Sequence, residues 1–328
     1  MKTCWTRYAI AALAIWSVVL GACGKSGDSE PKPNQGGSLY YSEADALIRF
    51  DFDTGKENVL FSGGDNYRVW PKGQVFVWYK TDFSAGTTTC QIHQLVSPDQ
   101  YRSISLPYIL EATPRFAPEG GLLGVLARSP DRPDTRTDLL LLESDGTFIG
   151  RIPHVKDFAF SPNGKDLVVS AEALDADGNT TGYALGLVKN FSSATSQQSI
   201  TIKVFSAYDQ LPVDLSFSSD GGRLAMIQAD HIFTLSPKEN ASVTQVTTSR
   251  FREVDVNWSP DGRYLVFAGN TPGVLDCGEI RIVSAQPEKP IEVPEDGYDN
   301  TPVDPLQPVD NNGKVIHSCG SASIVWIP

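Results

Sequence analysis

A short motif recurs along the chain and constrains its fold more than any other feature. Each full copy has an aromatic residue, Ser or Ala, Pro or Ser, an acidic or amide residue, and Gly. The full copies are Phe116–Gly120, Phe160–Gly164, Phe217–Gly221 and Trp258–Gly262, preceded by a shortened copy, Trp70–Gly73, and followed by a degraded one, Val309–Gly313. Their glycines are 47, 44, 57, 41 and 51 residues apart. These intervals are typical of propeller blades.

The motif has the chemistry of a tight turn between two strands. Proline presets φ at the second position, Asp or Asn is tolerated at the third, and glycine adopts the positive φ that closes a hairpin. An apolar segment follows each glycine, with the density of a strand packed on both faces. These segments are Val75–Tyr79, Leu122–Leu126, Leu167–Val169, Leu224–Ile227 and Tyr264–Phe267.

Five copies in register make this repeat similar to the TolB-type, WD-like propeller repeat, whose hallmark is an aromatic-Ser-Pro-Asp-Gly turn. The resemblance covers residues 39–328 and implies an all-β fold, a single β-propeller of four-stranded blades. TolB itself carries a separate α/β domain before its propeller, and this chain has no room for one. Whatever that domain does for TolB is therefore not carried over.

The number of blades depends on the two ends of the repeat region. Ser38–Phe61 supplies three strands without a leading motif, and the C-terminal segment supplies Val315–Ile316 and Ile324–Ile327. If these pieces form separate blades the ring has seven, and if they merge it has six; we favour seven. The long unit carries an extra hairpin, Ala171–Gly182, and a polar stretch, Asn190–Ser199, both expected to project as loops.

Residues 1–22 have the three parts of an export signal: positive charge at Lys2 and Arg7, an apolar run too short to cross a bilayer, and small residues before a cleavage point. Leu20-Gly21-Ala22-Cys23 resembles a lipobox, in which the cysteine receives a diacylglycerol with fatty acids such as palmitate. We therefore expect a lipoprotein signal peptide and lipidation at Cys23. The alternative is an ordinary signal peptide with an incidental cysteine.

The cellular location expected for the mature protein follows from the same resemblance. Gly24 stands where aspartate would retain an enterobacterial lipoprotein in the inner membrane, so we expect an outer-membrane anchor facing the periplasm. Residues 23–38 comprise the lipidated cysteine and a polar linker with no core-forming residue, and we expect that linker to be disordered. The propeller domain then spans residues 39–328.

Charge restricts the partners of the mature chain. Removing Lys2 and Arg7 with the signal peptide leaves 25 basic against 39 acidic residues, a formal charge of −14. A surface of this sign repels polyanions, so nucleic acid is not an expected partner and the membrane is reached only through the lipid.

Common catalytic and metal-binding motifs are absent from the sequence, including the nucleophile elbow, the zinc His-Glu-x-x-His and the phosphate-binding glycine loop. Propeller-only enzymes such as oligogalacturonate lyases hold a metal with several histidines, but the four here, His93, His154, His231 and His317, occur in different repeat contexts. Asp175–Asn179 has the alternating oxygen ligands of a calcium loop without its terminal glutamate, which favours a plain hairpin turn.

Three aspartates occupy equivalent places in the repeat. Asp157, Asp214 and Asp255 each lie three residues before a motif aromatic, where the innermost strand is expected to begin at one mouth of the central channel, and Asp304 is a shifted fourth candidate. In one interpretation each carboxylate binds backbone N–H groups or a cation such as Lys156 or Arg252. In the other they form a partial acidic ring for a divalent cation or a basic group of a partner. No cofactor is evident.

Three cysteines remain in the mature chain beyond Cys23. Cys277 and Cys319 lie in successive repeats, each followed by glycine and then a strand, and an oxidising periplasm permits disulfides. We predict a disulfide between them.

Two main functions are compatible with these features. The resemblance to TolB-type propellers implies a lipid-anchored envelope scaffold that binds a protein or peptide, and this interpretation favours a role without catalysis. The alternative is a propeller enzyme, or a small-molecule or glycan binder, that uses carboxylates at the channel mouth. A structural envelope protein without a dedicated ligand is a third hypothesis. The sequence names no catalytic residue.

Overall fold

A computed structural model of the chain describes residues 36–43, 45–63, 67–70, 74–118, 120–128, 136–191, 203–270, 277–294, 308–319 and 324–328. Within these ranges the protein is all-β. Its strands form six sheets of four or five strands, which are the blades of a propeller, and one two-stranded parallel pair. The all-β propeller predicted from the repeat is confirmed.

Each blade is numbered along the ring and its strands are given from the innermost outward. Blade 1 contains β27 (Val325–Ile327), β1 (Ser38–Glu43), β2 (Ala46–Asp51) and β3 (Lys56–Ser62); blade 2 contains β4 (Arg68–Trp70), β5 (Val75–Asp82), β6 (Thr87–Gln94) and β7 (Tyr101–Leu106); blade 3 contains β8 (Ile109–Leu110) and β9 (Arg115–Phe116), both paired with β10 (Leu122–Arg128), then β11 (Asp138–Glu143) and β12 (Phe148–Ile152).

The other three blades follow the same plan. Blade 4 contains β13 (Val155–Phe160), β14 (Leu167–Leu174), β15 (Thr180–Val188) and β16 (Lys203–Tyr208); blade 5 contains β17 (Val213–Phe217), β18 (Leu224–Gln228), β19 (His231–Leu235) and β20 (Thr244–Gln245); blade 6 contains β22 (Arg252–Trp258), β23 (Tyr264–Asn270), β24 (Cys277–Ser284) and β26 (His317–Cys319); the parallel pair is β21 (Thr247–Thr248) with β25 (Ile291–Glu292).

The two ends of the repeat region meet in blade 1 and close the ring. The C-terminal β27 pairs with β1, with Trp326 opposite Leu39. The Trp326 indole also donates to the Gly36 carbonyl at 3.2 Å and lies against the Phe52 ring at 4.9 Å. The ring described here has six blades, so the prediction of six or seven is confirmed, but the preference for seven is wrong because these two ends merge into one blade.

In its four full copies the repeated motif forms the turn between the first and second strands of a blade, whereas the degraded copy, Val309–Gly313, precedes the outermost strand of blade 6. Its glycines have positive φ values of 75°, 68°, 72° and 69° at Gly120, Gly164, Gly221 and Gly262. In each full copy the glycine N–H donates to the carbonyl three residues earlier. The motif serine adds further hydrogen bonds to the turn: Ser161 Oγ donates to Asn163 and accepts the Asp166 N–H. This explains why serine recurs beside the turn-forming residues.

The motif aromatic contacts the preceding blade. Trp258 of blade 6 donates its indole N–H to the Ser216 carbonyl of blade 5 at 2.9 Å, and the Arg223 guanidinium lies 4.5 Å from its ring centre. In blade 3, a Cβ on Gly124 would come within 3.2 Å of the Phe160 ring of blade 4. The repeat therefore encodes both the turn within a blade and the packing between blades.

The extra hairpin predicted for the long unit is formed by extended β14 and β15 of blade 4. Asp175 accepts N–H groups from Asp177 and Asn179 at 3.0 and 2.8 Å, and Gly178 has a φ of +83°. The carboxylate is thus used by the turn itself, and the hairpin interpretation of Asp175–Asn179 is confirmed. Most of the predicted polar loop, Asn190–Ser199, lies outside the described residues.

Candidate functional site

The three sequence-predicted aspartates lie on the innermost strands of consecutive blades: Asp157 on β13, Asp214 on β17 and Asp255 on β22. The strand pairing shifts register beside each of them. Asp214 and Asp255 have positive φ values of 53° and 59°, a conformation in which Asp is enriched among non-glycine residues. These irregularities turn the side chain away from the regular ladder.

The Asp157 carboxylate binds groups from three blades, and both of its oxygens have partners. One carboxylate oxygen pairs with the Arg115 guanidinium of blade 3 at 2.7 Å and accepts the Phe158 N–H at 2.8 Å. The other accepts the Leu215 N–H of blade 5 at 2.7 Å. With 4% of its surface exposed, Asp157 is a buried connector whose cation is Arg115, not Lys156 or Arg252. Lys156 pairs instead with Glu172, and Arg252 lies near Asp230.

Asp214 and Asp255 are joined through the backbone. Asp214 accepts the Asp255 N–H at 2.9 Å across the gap between blades 5 and 6. Burial raises the pKa of Asp214, and the Asp157 carboxylate raises it further. Burial also holds the pKa of Asp255 well above its usual range, with Asp214 acting in the same direction. Each residue as a whole is only partly buried.

Two arginines complete the centre of the ring, and sequence reasoning did not single them out. Arg68 comes from β4 and Arg115 from β9, the innermost strands of blades 2 and 3. Electrostatic interactions link Arg68 to all three aspartates. Burial, followed by the nearby Arg115, lowers the pKa of Arg68 to about 10. The centre therefore contains basic as well as acidic groups.

A cavity of about 410 Å³ opens where the innermost strands end; we call it the central cavity. All six blades contribute to its lining. Each blade supplies one aromatic residue: Trp326, Trp70, Phe116, Phe160, Phe217 and Trp258 in blade order. None of the three aspartates is among the described residues that line it. Along each innermost strand, the aspartate precedes the cavity-lining residues.

The described polar residues that line the central cavity include two arginines and no aspartate or glutamate. Arg68 and Arg115 contribute guanidinium groups, and Ser216 and Asn257 lie on the opposite side of the ring. Asn257 Oδ1 accepts the Trp258 N–H at 2.8 Å and the Ser216 hydroxyl at 3.2 Å. The Asn257 amide N–H₂ is then left for other partners.

No cluster of three or more His, Cys, Asp or Glu side chains arranged to hold a metal ion is found in the described part of the chain. His93 has both ring nitrogens occupied, by the Pro98 carbonyl at 2.6 Å and the Trp78 indole at 3.1 Å, and it stacks on Phe76. It has a packing role. Asp304 lies outside the described residues.

The predicted disulfide is compatible with the strand register of blade 6. Cys277 begins β24 and is directly opposite Cys319, at the end of β26. Directly paired residues of antiparallel strands have Cα atoms about 4.5–5.5 Å apart, within the range that a disulfide spans. Cys90, by contrast, is a buried free thiol, and burial raises its pKa to about 12.

We therefore expect Cys277 and Cys319 to be joined in protein isolated from an oxidising compartment. Peptide mapping of a non-reduced digest should recover both cysteines in one linked peptide that separates on reduction. Cys90 serves as the internal control, because it should react with a thiol reagent only after unfolding. An alkylated Cys277 in the native, non-reduced protein would contradict the pairing.

The predicted lipidation site, Cys23, lies outside the described residues, as does the whole of residues 1–22. Among the residues that are described, no helix is both long and apolar enough to span a membrane.

The sequence matches no protein-family model and no curated protein. Solved structures are similar in fold. TolB from Acinetobacter baumannii is 15% identical with a TM-score of 0.56, over 87% of this chain and 70% of that one. A protein of Agrobacterium tumefaciens assigned as TolB is 15% identical with a TM-score of 0.52, over 89% and 98%. Oligogalacturonate lyase from Vibrio parahaemolyticus is 12% identical with a TM-score of 0.51, over 76% and 75%.

Proposed function

We propose that this chain, a β-propeller with the fold of TolB-type propellers, is a lipid-anchored cell-envelope scaffold that binds a protein or peptide in its central cavity. The observation that carries the proposal is the composition of that cavity. Six aromatic residues, one from each blade, form its wall, and donors line part of its floor. Aromatic residues are enriched where proteins contact one another, and a concave site with aromatic walls and a few placed polar groups can bury an inserted group.

The anchoring part of the proposal is supported by sequence. Cys23 follows Leu20-Gly21-Ala22, and Gly24 favours an outer-membrane destination facing the periplasm. The formal charge of −14 keeps the domain away from anionic surfaces, so the partner is expected to be a protein of the same compartment.

A second candidate function is a small-molecule or glycan binder, with or without catalysis. Its support is the pair Asp214 and Asp255, whose raised pKa values are typical of acid–base groups. Two facts favour the scaffold: neither residue lines the central cavity, and Asp214 already accepts a backbone N–H.

The test is crosslinking and pull-down of the full-length protein from its own membranes. Ser219 is exposed at the rim of the central cavity, so Ser219→Trp should obstruct the opening without disturbing the core. Ser105→Trp on the exposed side of β7 is the matched control. We expect a stoichiometric protein partner with the wild type and the control, and its loss with Ser219→Trp.

Two outcomes would contradict the proposal. Recovery of no protein in stoichiometric amount would favour the small-molecule alternative, and equal recovery by all three proteins would place the partner elsewhere on the propeller. The anchor is checked in the same preparation, since Cys23→Ser should leave the membrane fraction and lack the mass of the lipid.

A further inference from the structure

We propose that the partner inserts a peptide carboxylate into the central cavity and that Arg68 binds it. This inference rests on the proposed scaffold function and adds the chemistry of the bound group. It is carried by Arg68, which lines the cavity, and by the distribution of donors and acceptors around it.

Arg68 differs from the other cavity arginine in what it contacts. Arg115 pairs with Asp157 at 2.7 Å, donates to the Phe158 carbonyl and lies 4.8 Å from the Phe158 ring centre. Arg68 forms no hydrogen bond or ion pair with any other residue that the structure describes. It is half-buried on β4 and lines the central cavity, where its guanidinium can donate to a ligand.

The nearby carboxylates do not satisfy Arg68 directly. Asp157 has both oxygens occupied, and one Asp214 oxygen is bound to the Asp255 N–H. Burial raises the pKa of both Asp214 and Asp255, so they are weaker counterions than surface aspartates. Arg68 itself has a pKa of about 10 and is a cation at neutral pH. A cation without a direct partner at the floor of a cavity favours an anionic ligand.

The remaining lining specifies which anion fits. Asn257 presents its amide donors because its oxygen accepts from Trp258 and Ser216. Trp70 lies two residues after Arg68 on the same strand, and the Phe116 ring is tilted against the Trp70 ring with the ring centres 5.6 Å apart. A carboxylate with an apolar side chain beside it would place its oxygens at the donors and its side chain against the rings. Peptides provide this combination at a C-terminus or at an Asp or Glu next to an apolar residue.

The probes are two libraries of random seven-residue peptides, one displayed with free C-termini and the other with the C-terminus fused to the carrier. Enriched sequences are then synthesised and titrated against the full-length protein. If a side-chain carboxylate binds, we expect wild-type protein to enrich peptides that contain Asp or Glu in both libraries. If the terminal carboxylate binds, we expect enrichment in the first library only. The pair of libraries therefore distinguishes side-chain from terminal carboxylates.

Variants of Arg68 measure how much this residue contributes to peptide affinity. Because a hydrogen bond to a charged group carries more energy than a neutral one, Arg68→Gln should weaken binding about 10- to 100-fold. Arg68→Lys retains the charge and should give an intermediate loss. Arg102→Gln, an exposed arginine on β7, is the control and should bind as the wild type does. Amidating the peptide carboxylate should weaken its binding to the wild-type protein as much as Arg68→Gln weakens binding of the unmodified peptide. The same amidation should weaken binding to the Arg68→Gln variant little further.

The outcomes separate the inference from the scaffold proposal. Enrichment of neutral or basic peptides that Ser219→Trp excludes but Arg68→Gln retains would overturn the carboxylate inference and leave the scaffold intact. Failure to enrich any peptide relative to Ser219→Trp would overturn both. If Arg68→Gln does not fold, Arg68→Lys provides the test. The inference is overturned if Arg68→Lys binds the peptide with wild-type affinity and amidation of the peptide does not weaken its binding to the wild-type protein.

Discussion

Replacing Trp326 with alanine is expected to lower the free energy of unfolding by about 3–5 kcal/mol, the usual cost of removing a buried tryptophan. Trp326 is 6% exposed, contacts Phe52 and donates its indole N–H to the Gly36 carbonyl. It also lies on β27, whose pairing with β1 joins the two ends of the ring. The alanine variant therefore loses core packing and a ring-closing hydrogen bond together.

Urea unfolding followed by circular dichroism would measure this loss. Phe83→Ala is the control, because Phe83 is 71% exposed and its removal should change the stability by no more than about 0.5 kcal/mol. An equal effect of the two substitutions would show that closure through β27 contributes little, and that the remaining blades hold the ring by themselves.

Replacing Asp157 with alanine is expected to have an effect of similar size, about 3–5 kcal/mol, since it leaves a buried cation without its partner. Arg115 would lose its 2.7 Å ion pair, and the N–H groups of Phe158 and Leu215 would lose their acceptor. These groups belong to blades 3, 4 and 5, so one substitution weakens two blade contacts.

The matched control is Glu239→Ala, which breaks an exposed pair with Lys203 whose atoms are 2.8 Å apart. Exposed pairs contribute about 0–1 kcal/mol, so little change is expected. If Asp157→Ala kept wild-type stability but abolished partner capture, Asp157 would belong to the binding site and its structural assignment would be wrong.

The fold was predictable because its information is local and repeated. Each copy, such as Trp258–Gly262, encodes a turn through its own residues and a blade contact through its aromatic ring. The sequence could not set the blade count in the same way. That count depends on whether Ile324–Ile327 pairs with Ser38–Glu43, two segments separated by nearly the whole chain, and no local pattern records such a pairing.

The centre of the ring was predictable only in part. Repeat symmetry identified Asp157, Asp214 and Asp255, since all three keep the same spacing to a motif aromatic. Arg68 and Arg115 precede their aromatics by two residues and one, so symmetry did not relate them. In blade 3 the innermost position is also divided between β8 and β9. The balance of acidic and basic groups at the centre arises only when the ring closes. The spacing of residues along the sequence does not predict it.

The hydrogen bond between Trp326 and Gly36 has a further consequence for a lipid-anchored protein. Gly36 accepts a hydrogen bond from Trp326, which lines the central cavity, and is only thirteen residues from Cys23. A chain of that length spans at most about 45 Å. If Cys23 carries a lipid as proposed, the residues at Gly36 stay within that distance of the bilayer. A membrane-attached partner would then be met at a high effective concentration. Its capture would be a search over the membrane surface, and modest intrinsic affinity would suffice.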